Sequence, residues 1–228
     1  MKKEEGHFHN KYNLKDIILG GQDGIVNVLG IVLAVATATN DLRIILISGL
    51  AATFAESLSM AAVAYTSTKA AKDYYLSIIE EEAKEIKKYP KRHLKNVKDI
   101  YYKKGFRGTL LNRIVNHIVS DKKLWVNTMV KEELGLSEEE LISPLKSALV
   151  VGLASVIGSL IPLLPFILPF SYKISFALIF SILILFITGA IKAKVTIGSW
   201  IRSGFEMAAI GTLAALIGYA IGLALGTI

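Results

Sequence analysis

Two acids interrupt stretches that are otherwise apolar: Asp23 in Gly20-Gly21-Gln22-Asp23-Gly24-Ile25-Val26-Asn27, and Glu56 in Phe54-Ala55-Glu56-Ser57-Leu58-Ser59-Met60-Ala61. An ionisable side chain at membrane depth costs roughly 3 kcal/mol or more unless it is paired or wetted, so it marks a functional position by default. Asn27 falls one helical turn after Asp23 on the same face, and Met60 one turn after Glu56. Two carboxylates, an amide and a thioether are the donors needed to pass a dehydrated cation. The plainer reading of Asp23 is a structural hydrogen-bond partner.

A second set of candidates lies in the charged middle of the chain. Glu80, Glu81, Glu82 and Glu85 form an acidic cluster, with Glu82 and Glu85 three residues apart and Glu81 and Glu85 four apart, on shared helical faces. Like charges at that spacing repel. Lys84, Lys87 and Lys88 would relieve this on a solvated face, and a divalent cation would relieve it in a binding site. Further on, Met129 and Glu133 set a thioether beside a carboxylate. Met is usually core, and Trp125 one turn earlier fits that reading, but the pair also suits a borderline-soft ion such as Fe²⁺ better than Mg²⁺ or Ca²⁺, which prefer oxygen alone. His7 and His9 could pick up metal, although the tail that carries them reads as mobile.

The elements that must position these residues follow from hydropathy. The chain has 228 residues, 53% of them hydrophobic, and a mean hydropathy of +0.50. Five apolar runs, 17–39, 44–68, 147–172, 174–191 and 205–228, are each near the length a bilayer requires and hold at most one formal charge each. The first is a span rather than a cleavable signal core ending near Ala34-Val35-Ala36, because acids precede and enter it and another span follows at once. Pro162, Pro165 and Pro169 should bend or end the third span, and Gly218, Gly222 and Gly226 offer the fifth a ridge for close packing. Between the second and third, residues 69–146 carry 17 Lys or Arg and 12 Asp or Glu with helical composition and no strand alternation. The second span should run unbroken to Pro90, followed by helices near 91–104, 108–119 and 121–134, the last stopped by Gly135. The expected fold is an all-α polytopic membrane protein with five transmembrane helices and a cytoplasmic helical metal-binding insert. Its parts are 1–68, 69–146 and 147–228.

The net charge of +7 is informative through its placement, which speaks for membrane lipid and against nucleic acid. With a cytoplasmic N-terminus, 24 Lys or Arg fall inside and only Arg43 and Lys173 outside. That bias puts the N-terminus and the central block in the cytoplasm and the C-terminus outside, with the cell membrane of a prokaryote as the expected location. The absence of cysteine excludes disulfides, zinc-thiolate sites and iron–sulfur clusters.

The stretches Gly20 to Asn27 and Phe54 to Ala61, together with Glu132-Glu133-Leu134-Gly135-Leu136, resemble the vacuolar iron transporter family, and the order of spans is similar over most of the chain. The resemblance implies five transmembrane helices per subunit, a homodimer, and export of Fe²⁺, often with Mn²⁺, in exchange for protons; no resident cofactor is expected beyond the bound or transported ion. Carried over by position, Asp23 and Met60 line the ion path, while Glu82, Glu85, Met129 and Glu133 form the cytoplasmic metal site, with Glu81 and Glu132 as alternates if the register slips. Ala64 stands where the family commonly has a carboxylate, and Glu56 two turns earlier is the candidate replacement. A second Glu pair beyond Glu85 is missing too, with only His93 and Asn96 in that region. A membrane-anchored metal-binding protein or a ferritin-like oxidase is the competing class. The oxidase needs Glu-x-x-His pairs, and no Glu precedes His93 or His117 by three residues.

Overall fold

The computed structural model describes residues 2–39, 41–136, 142–169, 171–195 and 198–226, with side chains from residue 14 onward. The side chains of His7 and His9 therefore lie outside the described residues. Among the described residues every regular element is a helix: α1 (Lys2–Ala38), α2 (Leu42–Lys88), α3 (Pro90–Lys103), α4 (Gly108–Ser120), α5 (Lys122–Glu132), α6 (Pro144–Leu160), α7 (Leu164–Ile167), α8 (Lys173–Val195) and α9 (Trp200–Gly226). They divide into two units, one formed by Met1–Tyr65 with Leu145–Ile228, the other by Thr66–Pro144. The boundary falls within α2.

In the first unit α1, α2, α8 and α9 are long and apolar enough to cross a bilayer, and α6 is a shorter apolar helix. The expected first span starts at residue 17, whereas α1 is already helical from Lys2. The expected third span, 147–172, is not a single helix. α6 stops at Leu160 and the chain turns through Ile161–Leu163 into the four-residue α7. Pro162 and Pro165 lack the N–H that a continuing α-helix would use. The turn is instead closed by short-range bonds, Ile161 N to Gly158 O at 3.1 Å, Leu163 N to Leu160 O at 3.1 Å and Phe166 N to Leu163 O at 3.0 Å.

Small residues set the packing of this unit. A Cβ at Gly218 would run into the backbone of Gly30, one at Gly222 into Ala34, and one at Gly226 into Ala38, so the ridge read from the sequence of α9 seats on α1. Gly20 and Gly24 likewise abut Val151, Ser155 and Ser159 of α6. These two glycines are thus taken up inside the subunit and are not free to bring two first spans together. Val28, Val32, Ala36, Ile45, Leu163, Phe166 and Ala177 fill the adjoining apolar cluster.

The second unit is a helical cluster around Tyr75, Ile86, Val97, Leu111, Val115, Ile118, Val126, Met129 and Val130. α2 ends at Lys88 because the residue before a proline disfavours the helical region, and Pro90 then opens α3, where its missing N–H is no loss. Asp121 caps α5 by accepting from the backbone N–H groups of Lys123 at 2.8 Å and Leu124 at 3.1 Å. Beyond the end of α5, Gly135 adopts φ +69°, a region that favours glycine, and Leu136 N bonds back to Val130 O at 3.2 Å.

Candidate metal sites

The first site joins α1 and α2 within the apolar unit. The Asn27 side-chain amide donates to Glu56 Oε1 at 2.6 Å, and the Asp23 carboxyl adjoins that of Glu56. The three groups meet because Asp23 and Asn27 are one turn apart on α1 and that face lies against α2. Next to them Ser57 Oγ donates to Ser155 Oγ of α6 at 3.2 Å. Met60 is half-buried one turn beyond Glu56, and Ala64, another turn on, is buried. Asn27 remains exposed on the single chain, while Asp23 and Glu56 are half-buried.

The second site belongs to the other unit and is assembled by its core. Glu82 lies one turn before Ile86 on α2, His93 one turn before Val97 on α3, and Glu133 one turn after Met129 at the end of α5; Ile86, Val97 and Met129 are all buried in the apolar cluster. Packing those three residues draws the three polar ones together. Donor atoms of Glu82, His93 and Glu133 lie within 4.8 Å of one another. Donors about 2 Å from a shared ion stand roughly 3–4 Å apart, so modest side-chain adjustment suffices for one ion. Asn96 steadies Glu133 by donating to Oε1 at 3.0 Å and Oε2 at 3.3 Å. Burial pushes the Glu82 carboxyl above the usual carboxylate range; His93 opposes this shift, and the charges of Glu133 and Glu85 reinforce it.

The other candidates fall around this trio. Glu85 Oε2 is 3.7 Å from His93 Nε2 and 3.8 Å from Arg92 Nη1. Glu132 is engaged by Lys104, Glu80 pairs with Lys84 at 2.7 Å, and Glu81 is exposed to solvent. Met129 is fully buried among Val97, Val126 and Val130. His93 joins the site although spacing along the sequence does not mark it as a ligand. The signal for it was positional: Pro90 turns the chain back after Glu82 and Glu85, which carries the first residues of α3 alongside them.

A chain whose described residues form only helices, several of them apolar and of bilayer length, with acids and an amide set among them, is a multi-pass integral membrane protein. Residues 14–223 match the VIT family, and the chain belongs to it. It is 30% identical over 230 residues to vacuolar iron transporter 1 of Tulipa gesneriana, covering 100% of this chain and 93% of that protein. Vacuolar iron transporter 1 of Arabidopsis thaliana is 29% identical over 212 residues, covering 92% of this chain and 85% of the relative. The vacuolar iron transporter of Plasmodium falciparum is 29% identical over 235 residues, covering 98% and 86%. Members of the family are transporters rather than enzymes, which disposes of the oxidase reading.

Proposed function

We propose that the protein exports Fe²⁺, and Mn²⁺ as a second substrate, from the cytosol in exchange for protons. The observation that carries this reading is the meeting of Asp23, Asn27 and Glu56 on helices of membrane-spanning character. Two adjoining carboxyls repel when both are ionised, and either a proton or a cation relieves the repulsion. Competition between the two at one site is what an antiporter requires. Glu56 takes the part of the carboxylate that the family commonly carries at the position of Ala64, and Met60 adds a thioether one turn away. Capture from the cytosol falls to Glu82, Glu85, Met129 and Glu133.

In this reading five segments cross the bilayer, the fifth supplied by α6 with α7, and Thr66–Pro144 lies on the cytoplasmic side with the N-terminus. That orientation exports iron from a cell; in a vacuolar membrane, as the relatives' names place them, it would load the vacuole. A homodimer is part of the proposal. An exposed amide beside two carboxyls is costly against lipid, and a second copy covering that face would enclose them.

The test is uptake of Fe²⁺, Mn²⁺ and Zn²⁺ into proteoliposomes with and without an imposed pH gradient. Fe²⁺ uptake accompanied by counter-movement of protons is expected. Uptake indifferent to the gradient, with no proton movement, overturns the antiport mechanism.

A further inference from the structure

His93 is 4% exposed, and neither ring nitrogen has a hydrogen-bond partner among the described residues. Buried imidazoles in protein cores ordinarily bond through at least one nitrogen, because leaving a polar atom dry and unpaired costs about 1–3 kcal/mol. Nδ1 instead stands 3.0 Å from Glu82 Oε1 and Nε2 3.7 Å from Glu85 Oε2, close approaches without hydrogen-bond alignment. Glu82 Oε1 is itself buried without a hydrogen-bond partner. One turn along α3, Val97 is fully buried, so the face of α3 that carries the ring is held against the core. A dry, unbonded imidazole facing carboxylates of two other helices is what a nitrogen ligand looks like before its ion arrives.

We infer that His93 is a direct ligand of the ion captured by Glu82 and Glu133, making this a mixed nitrogen–oxygen site that favours borderline transition ions over Mn²⁺. Imidazole suits Fe²⁺, Co²⁺, Ni²⁺ and Zn²⁺, whereas carboxylate oxygen alone suits Mn²⁺ and the alkaline-earth ions. Asn96, bonded to both oxygens of Glu133, acts as a positioning residue that fixes the carboxylate. The inference rests on the capture step proposed above and adds to it the residue that sets ion preference.

The full-length protein, metal-stripped in detergent, is titrated separately with Co²⁺ and Mn²⁺, and the Mn²⁺-loaded form is examined by electron spin-echo spectroscopy for nitrogen coupling. The unmodified protein should show that coupling. His93→Ala should abolish it and weaken Co²⁺ at least about tenfold and Mn²⁺ less than about threefold, since the nitrogen matters most to the softer ion. His93→Glu should regain Mn²⁺ binding without the Co²⁺ preference. Should His93→Ala fail to fold, the spin-echo signal of the unmodified protein and the Co²⁺ to Mn²⁺ ratio of His93→Glu decide the matter. Absence of nitrogen coupling, or an unchanged ratio in a folded variant, overturns the inference. If Co²⁺ binding nonetheless falls in Glu82→Gln, the capture reading survives that failure. Binding indifferent to Glu82→Gln as well would sink both.

Discussion

The two sites use the same side-chain chemistry in opposite settings. In the apolar unit, Asp23, Asn27 and Glu56 sit on two helices, and α1 is held in place by contacts to α6 and α9 in which glycines replace side chains. In the other unit, Glu82, His93 and Glu133 come from three helices and are gathered by large core residues. One arrangement removes bulk to admit polar groups where water is scarce; the other uses bulk to aim them. In the first setting the loss of one carboxyl leaves no repelling pair for a proton or a cation to relieve. The second has neighbours such as Glu85 that soften a single loss.

That contrast can be broken most directly at Asp23. Asp23→Asn keeps the size but cannot change charge, so transport in proteoliposomes should fall at least about a hundredfold, while Co²⁺ binding by the same protein stays intact. Normal transport by folded Asp23→Asn would mean that the path runs elsewhere. A graded result is expected from Glu82→Gln with Glu85→Gln. The half-saturating Fe²⁺ concentration for transport should rise about tenfold with the maximal rate largely kept, the pattern of lost binding rather than lost passage. A fall in maximal rate at unchanged half-saturation would contradict the division between capture and passage.

The homodimer is tested by single cysteines, which the chain's lack of native ones makes straightforward. Ile31, exposed one turn past Asn27, should crosslink between copies, whereas Gly20, buried against α6, should not. The reverse result would place the contact between copies at the first-span glycines instead.

The smallest expected effect concerns Glu82 in metal-free protein. A carboxyl whose folded pKa is raised contributes stability that is fully present below its unfolded value and lost as pH rises through the folded value. Glu82→Gln should therefore raise the melting temperature slightly at neutral pH, with the gain vanishing on acidification into the ordinary carboxylate range. An equal gain at every pH would place its origin outside this ionisation. The same substitution would then weaken metal binding and strengthen the fold.

Much of this was legible in the sequence, unevenly. The helices from α3 to α5 appear within a few residues of expectation because proline, glycine and an aspartate cap mark their ends locally. The unbroken run of α2 to Lys88 was legible for the same reason, through the lack of any breaker before Pro90. Hydropathy alone reads 147–172 as one apolar run, and it was the prolines that marked the break, since α6 ends two residues before Pro162. The pairing of Asn27 with Glu56 and the arrival of His93 beside Glu82 depend on how helices face each other, and helical spacing within one segment carries no such information. Met129 shows the limit from the other side. Its burial among valines is the ordinary fate of methionine in a core, so Met129→Leu is the substitution that separates packing from ligation.

The glycine seams have a mechanical consequence. Where Gly218, Gly222 and Gly226 meet Gly30, Ala34 and Ala38, and where Gly20 and Gly158 join α1 to α6, backbone touches backbone. Such a joint has no rotamers to exchange, so it cannot re-form one notch along without first coming apart. Gly49 of α2 is different, because what it meets is the side chains of Val32 and Leu163, which can change rotamer and repack. Gly152 of α6, by contrast, meets Ala61 and the Ser57 carbonyl of α2, so α2 is free to repack near Gly49 and is tied to α6 nearer Glu56. Glu56 rides on α2 and Asp23 on α1, so in the transport proposed above any repacking of α2 at Gly49 would also change the separation of the two carboxyls.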